Sequence, residues 1–354
     1  MGLQTDRIES LVLDAVRARV CPGAVWAVGD ASGTLAGGAV GLLDPARPQE
    51  PMRPDTVFDL ASLTKILAVW SVTGTLVESG ALELHRPLGA FWPEVAGRPL
   101  GAATAHHLLT HTAGLPLRAN LRHHYGSDPV EVRAGVLREP LRHRPGEAVA
   151  YTDRAALVLG YLAEHLTGRP LAALAAARVW NPLGMTETRY GPLPADVVAR
   201  CAPTEFDDAT GAHLKGTVHD FSTRLLGGAC GIAGVFAPRD DLCRFLRHTL
   251  SPGPSSSGAS AYGASSFGAS WVRRSLRVRT GELKPTRGLL WHPDPGAAAA
   301  RHDVWAHFGF TGTAMWVSPE RGRWAVLLTN KLYFTRDGVP VARLRAAFRS
   351  LAFA

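Results

Sequence analysis

Ser62 and Lys65 stand three residues apart in the stretch FDLASLTK. A serine hydroxyl is a weak acid and becomes a nucleophile only with a base in hydrogen-bond reach. On a helix, positions i and i+3 share a face, which sets Lys65 directly behind Ser62. The lysine would lie near the positive end of the helix dipole and among Ile66, Leu67 and Val69. Both settings disfavour its charged form and predict a pKa lowered from about 10.4 toward that of a neutral base. The Ser62 backbone N–H at the helix start would be one half of an oxyanion hole. Only four of the 38 basic residues are lysines (Lys65, Lys215, Lys284, Lys331). A chain that otherwise uses arginine therefore keeps, at 65, the cation that can release its proton. Taken alone, Ser-x-x-Lys is also an ordinary helix start, so the rest of the chain must supply the partners.

The elements that would position this pair can be read along the chain. Its 354 residues, 46% hydrophobic and 19% charged, suit one large domain or two intimately packed ones. Residues 5–19 carry apolar residues at helical spacing, and Pro22-Gly23 ends the pattern. GAVWAVGD and GTLAGGAVGLLD read as two strands joined by a turn at Asp30 to Gly33, and TVFDLA as a third. A helix is expected from about Ser62 to Glu78, closed by Ser79-Gly80, with others over 129–139, 153–167 and 170–178. Residues 253–270, rich in glycine, serine and alanine, read as a flexible surface loop or a lid. DVWAHFGF, TAMWVSPE and RWAVLLTN are late strands with short connections, hence antiparallel, and VPVARLRAAFRSLAF is a terminal helix. Strands at both ends around a helical middle predict an α/β domain from residues 1–61 and 231–354, with a mainly helical domain of residues 62–230 inserted.

Tyr151 follows a Pro-Gly turn and precedes the helix opened by Asp153, so its ring can project into a cleft. Asp153 reads either as that helix's N-cap or as a site residue. Together the motifs resemble the serine hydrolases related to class C β-lactamases and low-molecular-weight penicillin-binding proteins. That family's Ser-x-x-Lys, Tyr-x-Asn-like and Lys-Thr-Gly or His-x-Gly marks read here as Ser62-Leu63-Thr64-Lys65, Tyr151-Thr152-Asp153 and His307-Phe308-Gly309. HLLTHTAGLP, NPLGMTETRYGP and GTVHDFSTRLLGG resemble the same family, and the likeness covers about residues 5–345. It implies a β-lactamase-like fold and catalysis by Ser62, Lys65 and Tyr151, the tyrosine relaying the serine proton with the lysine. It also places His307 and Gly309 beside the substrate and makes the backbone N–H of Phe310 the second oxyanion donor. Histidine at 307 points to the esterase-like branch, because the lysine usual in β-lactamases would offer a substrate carboxylate a fixed charge. Asp153 departs from the family's asparagine, and Ile232 stands where relatives often have a histidine between glycines.

Other readings of the sequence are weaker. A net charge of +8 invites nucleic acid, but the arginines are scattered, with no basic tail and no aromatic-basic stripe. No Gly-x-Ser-x-Gly elbow is present, and neither is a separate deacylating glutamate. His106, His107 and His111 lack the glutamate and third ligand of a zinc site and read as structural, so no metal or other cofactor is called for. The first residues show no secretory pattern and no stretch is long enough to span a membrane, and the four cysteines lie far apart. A cytoplasmic protein acting on a small molecule is the expectation; oligomeric state is not legible. The leading function is hydrolysis of a carboxylic ester or amide through a Ser62 acyl-enzyme. The alternatives are a transacylase passing the acyl group to an alcohol or amine in natural-product assembly, a β-lactamase or D-amino-acid-specific peptidase, and a non-catalytic binding protein on this fold.

Overall fold

Alternating side chains along the strand Gly23–Gly29 explain the main architecture. In the computed structural model, which describes residues 4–117, 120–252, 266–294 and 303–354, this strand (β1) is buried throughout. Ala24, Trp26 and Val28 face one hydrophobic cluster, and Val25 and Ala27 face another. A strand covered on both sides must be apolar at every position, as GAVWAVG is. The helices Thr5–Arg17 and Val339–Ala352 cover the first face, with Ile8, Val12, Leu344 and Phe348 filling the gap. The second face packs on the helical middle of the chain.

β1 is the second strand of a six-stranded antiparallel sheet. β2 (Thr34–Gly41) lies on its outer side, and on its other side come β11 (Arg323–Thr329), β10 (Ala314–Ser318), β9 (Trp305–Phe308) and β8 (His292–Pro293). The early strands are thus hydrogen-bonded directly to the late ones. A small sheet joins β3 (Val57–Asp59) to β7 (Val235–Pro238), and β7 in turn to β4 (Arg189–Tyr190). β5 (Phe206–Asp207) and β6 (Ala212–His213) form a separate hairpin. The small sheet matters for the site: β3 leads into Ser62, and β7 follows Ile232.

The expected helices 129–139 and 153–167 are found at Pro129–Arg138 and Asp153–Thr167. Two expectations are refined. The segment from 62 to 78 is not a uniform α-helix but a 3₁₀ turn (Ala61–Leu63), a π-helical turn (Lys65–Trp70) and then an α-helix (Ser71–Glu78). The Leu67 carbonyl accepts from Ser71 Oγ and Trp180 Nε1, both at 2.9 Å, and such intruding donors widen a helix ladder. Likewise, Leu171–Ala175 passes into a second π turn, Ala176–Trp180. Residues 253–265 of the glycine- and serine-rich stretch lie outside the described residues; its end is built into the core through Phe267 and the helix Ala269–Ser275. The helix Arg239–Leu250, packed on the sheet, was not foreseen. Among the described residues, no helix is long and apolar enough to cross a membrane.

Candidate active site

Ser62 lies in the 3₁₀ turn immediately after β3, and Ala61 before it takes a left-handed φ of 49°. That conformation is costly for a residue with a Cβ and survives only where its surroundings enforce it. Here they do. Asp59 Oδ1 accepts the Ala61 N–H at 2.9 Å, while Thr311 and Thr313 donate to the Asp59 and Leu60 carbonyls at 2.7 and 3.1 Å. The β9–β10 connection is thereby fastened onto the serine turn. Gly309 allows the approach: a Cβ there would lie 2.1 Å from Thr313 Oγ1 and 2.6 Å from the Leu60 oxygen.

Lys65 opens the π turn that follows this 3₁₀ turn, and its ammonium donates to Ser62 Oγ at 2.8 Å. Its other partners are the Ile232 carbonyl at 2.8 Å and Asp153 Oδ1 at 2.9 Å. Lys65 is fully buried. Burial alone pulls its pKa down, as the sequence argument expected, but the Asp153 carboxylate and the Tyr151 oxygen outweigh it and raise the pKa above the ordinary lysine value. The expectation of a neutral base is therefore corrected: Lys65 rests as a cation. Asp153 is also not the cap of its helix. Thr152 fills that role, its Oγ1 accepting the Arg154 N–H at 3.2 Å, which leaves the Asp153 carboxylate for Lys65.

One cavity of about 630 Å³ is lined by Ser62, Tyr151, Asp153, His307, Gly309 and Phe310. The structure thus gathers all the residues singled out from sequence, with Lys65 directly behind Ser62. Neither the Ser62 nor the Phe310 backbone N–H has an acceptor among the described residues. His307 is buried, and burial pushes its pKa well below the ordinary value, so it is neutral. Its Nδ1–H donates to the Leu290 carbonyl at 2.9 Å, which leaves Nε2 as an unpartnered acceptor.

Several contributors were not anticipated. His219 lines the cavity, stacks on the Phe310 ring and bonds Asp59 Oδ2 through Nδ1 at 2.9 Å. Burial pulls its pKa down, yet Asp59 prevails and the net shift is upward. His219 lies in GTVHDFSTRLLGG, already picked out as family-like, and Asp59 stands three residues before Ser62; those are the signals that could have found them. His111 holds the Tyr151 segment: its carbonyl accepts the Ala150 N–H at 2.9 Å, and its ring lies 4.6 Å from that of Tyr151. Arg287 lines the cavity with its guanidinium 5.5 Å from the Tyr151 ring centre, its Nε unpartnered and no carboxylate within 4 Å among the described residues. His107 closes a capping box with Thr104, and the His106 ring lies tilted against that of His85, 4.7 Å between centres.

The chain as a whole is similar to known proteins. The model of the Beta-lactamase family matches residues 8–349. N-acetylmuramyl-L-alanine amidase of Bacillus subtilis (strain 168) is 26% identical over 312 residues, covering 79% of this chain and 69% of the amidase. Esterase EstB of Burkholderia gladioli is 36% identical over 202 residues, 52% of this chain and 51% of the esterase. Among solved structures, EstCE1, described as a hydrolase with promiscuous acyltransferase activity, superposes with a TM-score of 0.75 at 18% identity. That match covers 99% of this chain and 98% of EstCE1.

Proposed function

The chain belongs to the Beta-lactamase family and is a serine hydrolase or acyltransferase; on that premise we propose that Ser62 is its nucleophile and that a small carboxylic ester or amide is its substrate. The observation carrying the reading is the contact of Ser62 Oγ with the Lys65 ammonium at 2.8 Å, inside a cavity that also exposes Tyr151. Because Lys65 is already a donor to Ser62 Oγ, Tyr151 relays the serine proton, accepting it as its own hydroxyl proton passes toward the leaving group. The Ser62 oxygen attacks the substrate carbonyl carbon, and the carbonyl π electrons move onto its oxygen, held by the Ser62 and Phe310 N–H groups. Collapse breaks the bond to the leaving group, which takes the proton from Tyr151. Water then repeats the sequence on the acyl-enzyme and releases the acid. Lys65 serves throughout as a fixed charge beside the proton's path. Asp153 keeps it charged, and His307 offers a hydrogen-bond acceptor rather than a charge.

A second reading, transfer of the acyl group to an alcohol or amine, is favoured by the apolar rim of the cavity. Leu117, Phe221 and Phe310 stand there, 48%, 63% and 37% exposed, where an organic acceptor would bind better than water. Arg287, with no carboxylate partner among the described residues, favours a substrate bearing an anionic group, a feature shared with the peptidase alternative. We also read residues 62–230 as an inserted helical domain, and a reducing cytoplasm as the location, the latter supported by four buried, unpaired cysteines. Turnover of p-nitrophenyl esters tests the function: Ser62→Ala should abolish it. Added alcohols or amines would separate the two readings, since only a transacylase forms their acyl products in preference to the acid.

A further inference from the structure

Arg345 projects from the terminal helix onto the β9–β10 connection, where one guanidinium nitrogen donates to the Gly309 carbonyl at 2.7 Å and the Thr313 carbonyl at 2.8 Å. The guanidinium also lies 4.8 Å from the Phe308 ring centre. No carboxylate stands within 4 Å of it among the described residues, and the residues outside that set include no aspartate or glutamate. Burial lowers its pKa only to about 10, so it remains charged at neutral pH. Arg345 is only partly buried and lines the cavity, yet a largely desolvated cation without a counter-ion is still costly, and a neutral amide side chain could brace a hairpin at less cost. The charge therefore calls for a reason beyond bracing.

The carbonyl it grips supplies one. The C=O of Gly309 and the N–H of Phe310 belong to the same planar peptide, in which electron density drawn onto the oxygen leaves the nitrogen and its hydrogen more positive. A charged donor polarises that peptide more than a neutral one. The Gly309 carbonyl also accepts the Gly312 N–H at 3.1 Å, which adds in the same direction. We propose that Arg345 is a positioning residue of the oxyanion hole, aligning and polarising the Gly309–Phe310 peptide so that the Phe310 N–H binds the developing oxyanion more strongly. The inference rests on the reading of Ser62 as nucleophile and of Phe310 N–H as oxyanion donor.

The test uses the full chain and its Arg345→Met and Arg345→Lys variants, acylated with a slowly turned-over ester carrying a ¹³C-labelled carbonyl. The isotope-edited infrared band of the acyl-enzyme carbonyl reports polarisation by the oxyanion hole directly. In Arg345→Met the band should move toward the free-ester frequency, and kcat should fall about tenfold, a fraction of the loss seen on deleting a whole oxyanion donor, with KM within about twofold. Arg345→Lys should recover part of both effects. An unmoved band, whatever happens to kcat, would assign Arg345 to bracing alone and overturn the proposal. Should the methionine variant not fold, Arg345→Gln, a neutral donor, carries the same test, a band moved toward the free-ester frequency supporting the proposal and a wild-type band refuting it. Intact mass of each labelled protein keeps the two readings apart: a Ser62 adduct with an unmoved band condemns only the role of Arg345. Absence of an adduct in the wild type would remove the nucleophile reading and this inference with it.

Discussion

Asp153→Asn changes the least structure for the largest electrostatic effect. The Asp153 carboxylate lies 2.9 Å from the buried Lys65 ammonium. At an effective dielectric near 20, two unit charges at that separation attract by about 6 kcal/mol. The aspartate is 43% exposed, however, and water screens it. Halving the figure leaves about 3 kcal/mol, or about two pKa units at 1.4 kcal/mol each. With the carboxylate gone, burial is less strongly opposed, so the Lys65 pKa should fall by about two units from its raised value. The sign of the kinetic consequence separates two mechanisms. If Lys65 acts as a cation, kcat/KM of the wild type should hold across the alkaline range, and the loss of activity on lysine deprotonation should come about two pH units lower in Asp153→Asn. If Lys65 acts as a neutral base, activity should instead rise through that range, and earlier in the variant. A pH–rate profile on an ester whose spontaneous hydrolysis is subtracted distinguishes them. A rising limb, or one unmoved by the substitution, would refute the charge-pair argument.

Two further predictions concern the frame. Gly309→Ala places a methyl group within 2.1 Å of Thr313 Oγ1 and 2.6 Å of the Leu60 oxygen, forcing the β9–β10 connection off the serine turn. Turnover should fall by about 100-fold with a folded protein by circular dichroism, because small misplacements at a reacting centre cost that much; near-normal kcat would contradict the fastening. His111 and His307 are buried and neutral, their pKa values depressed mainly by burial. The stability tied to them is present above about pH 6.5, where both states are neutral, and is lost as pH falls below it, because only the unfolded chain then takes up protons. Each group contributes about 1.4 kcal/mol per pH unit, so the pair should lower unfolding free energy by about 3 kcal/mol per unit from about pH 6 to 5. Urea titrations at stepped pH measure this slope, and a flat profile there would rule out buried neutral histidines.

Much of the site was legible because its key contacts are short in sequence or carried by motifs. Ser62 and Lys65 meet because three residues of helical backbone bring them together, and β1 was readable because a strand covered on both faces is apolar at every position. The Lys65 charge was misjudged for a reason local sequence cannot reveal. The dipole and the apolar neighbours Ile66, Leu67 and Val69 are visible in and just after FDLASLTK, whereas the deciding carboxylate, Asp153, arrives from a distant helix. Asp153 could be read equally as a cap or as a site residue, because aspartate often caps helices; Thr152, one residue earlier, takes the cap position. The π turn after Ser62 depends on Trp180, whose indole reaches the Leu67 carbonyl across the fold. Arg287 and Arg345 are two of many arginines in the chain, and only tertiary packing sets them apart from those on the surface.

The central claim, that Ser62 is the nucleophile of a covalent acyl-enzyme, is tested most directly by intact mass after reaction with a fluorophosphonate. One phosphonyl adduct per chain, mapped by peptide analysis to Ser62 and absent in Ser62→Ala, is the predicted result. An unmodified wild-type mass, an adduct elsewhere, or equal labelling of Ser62→Ala would contradict it.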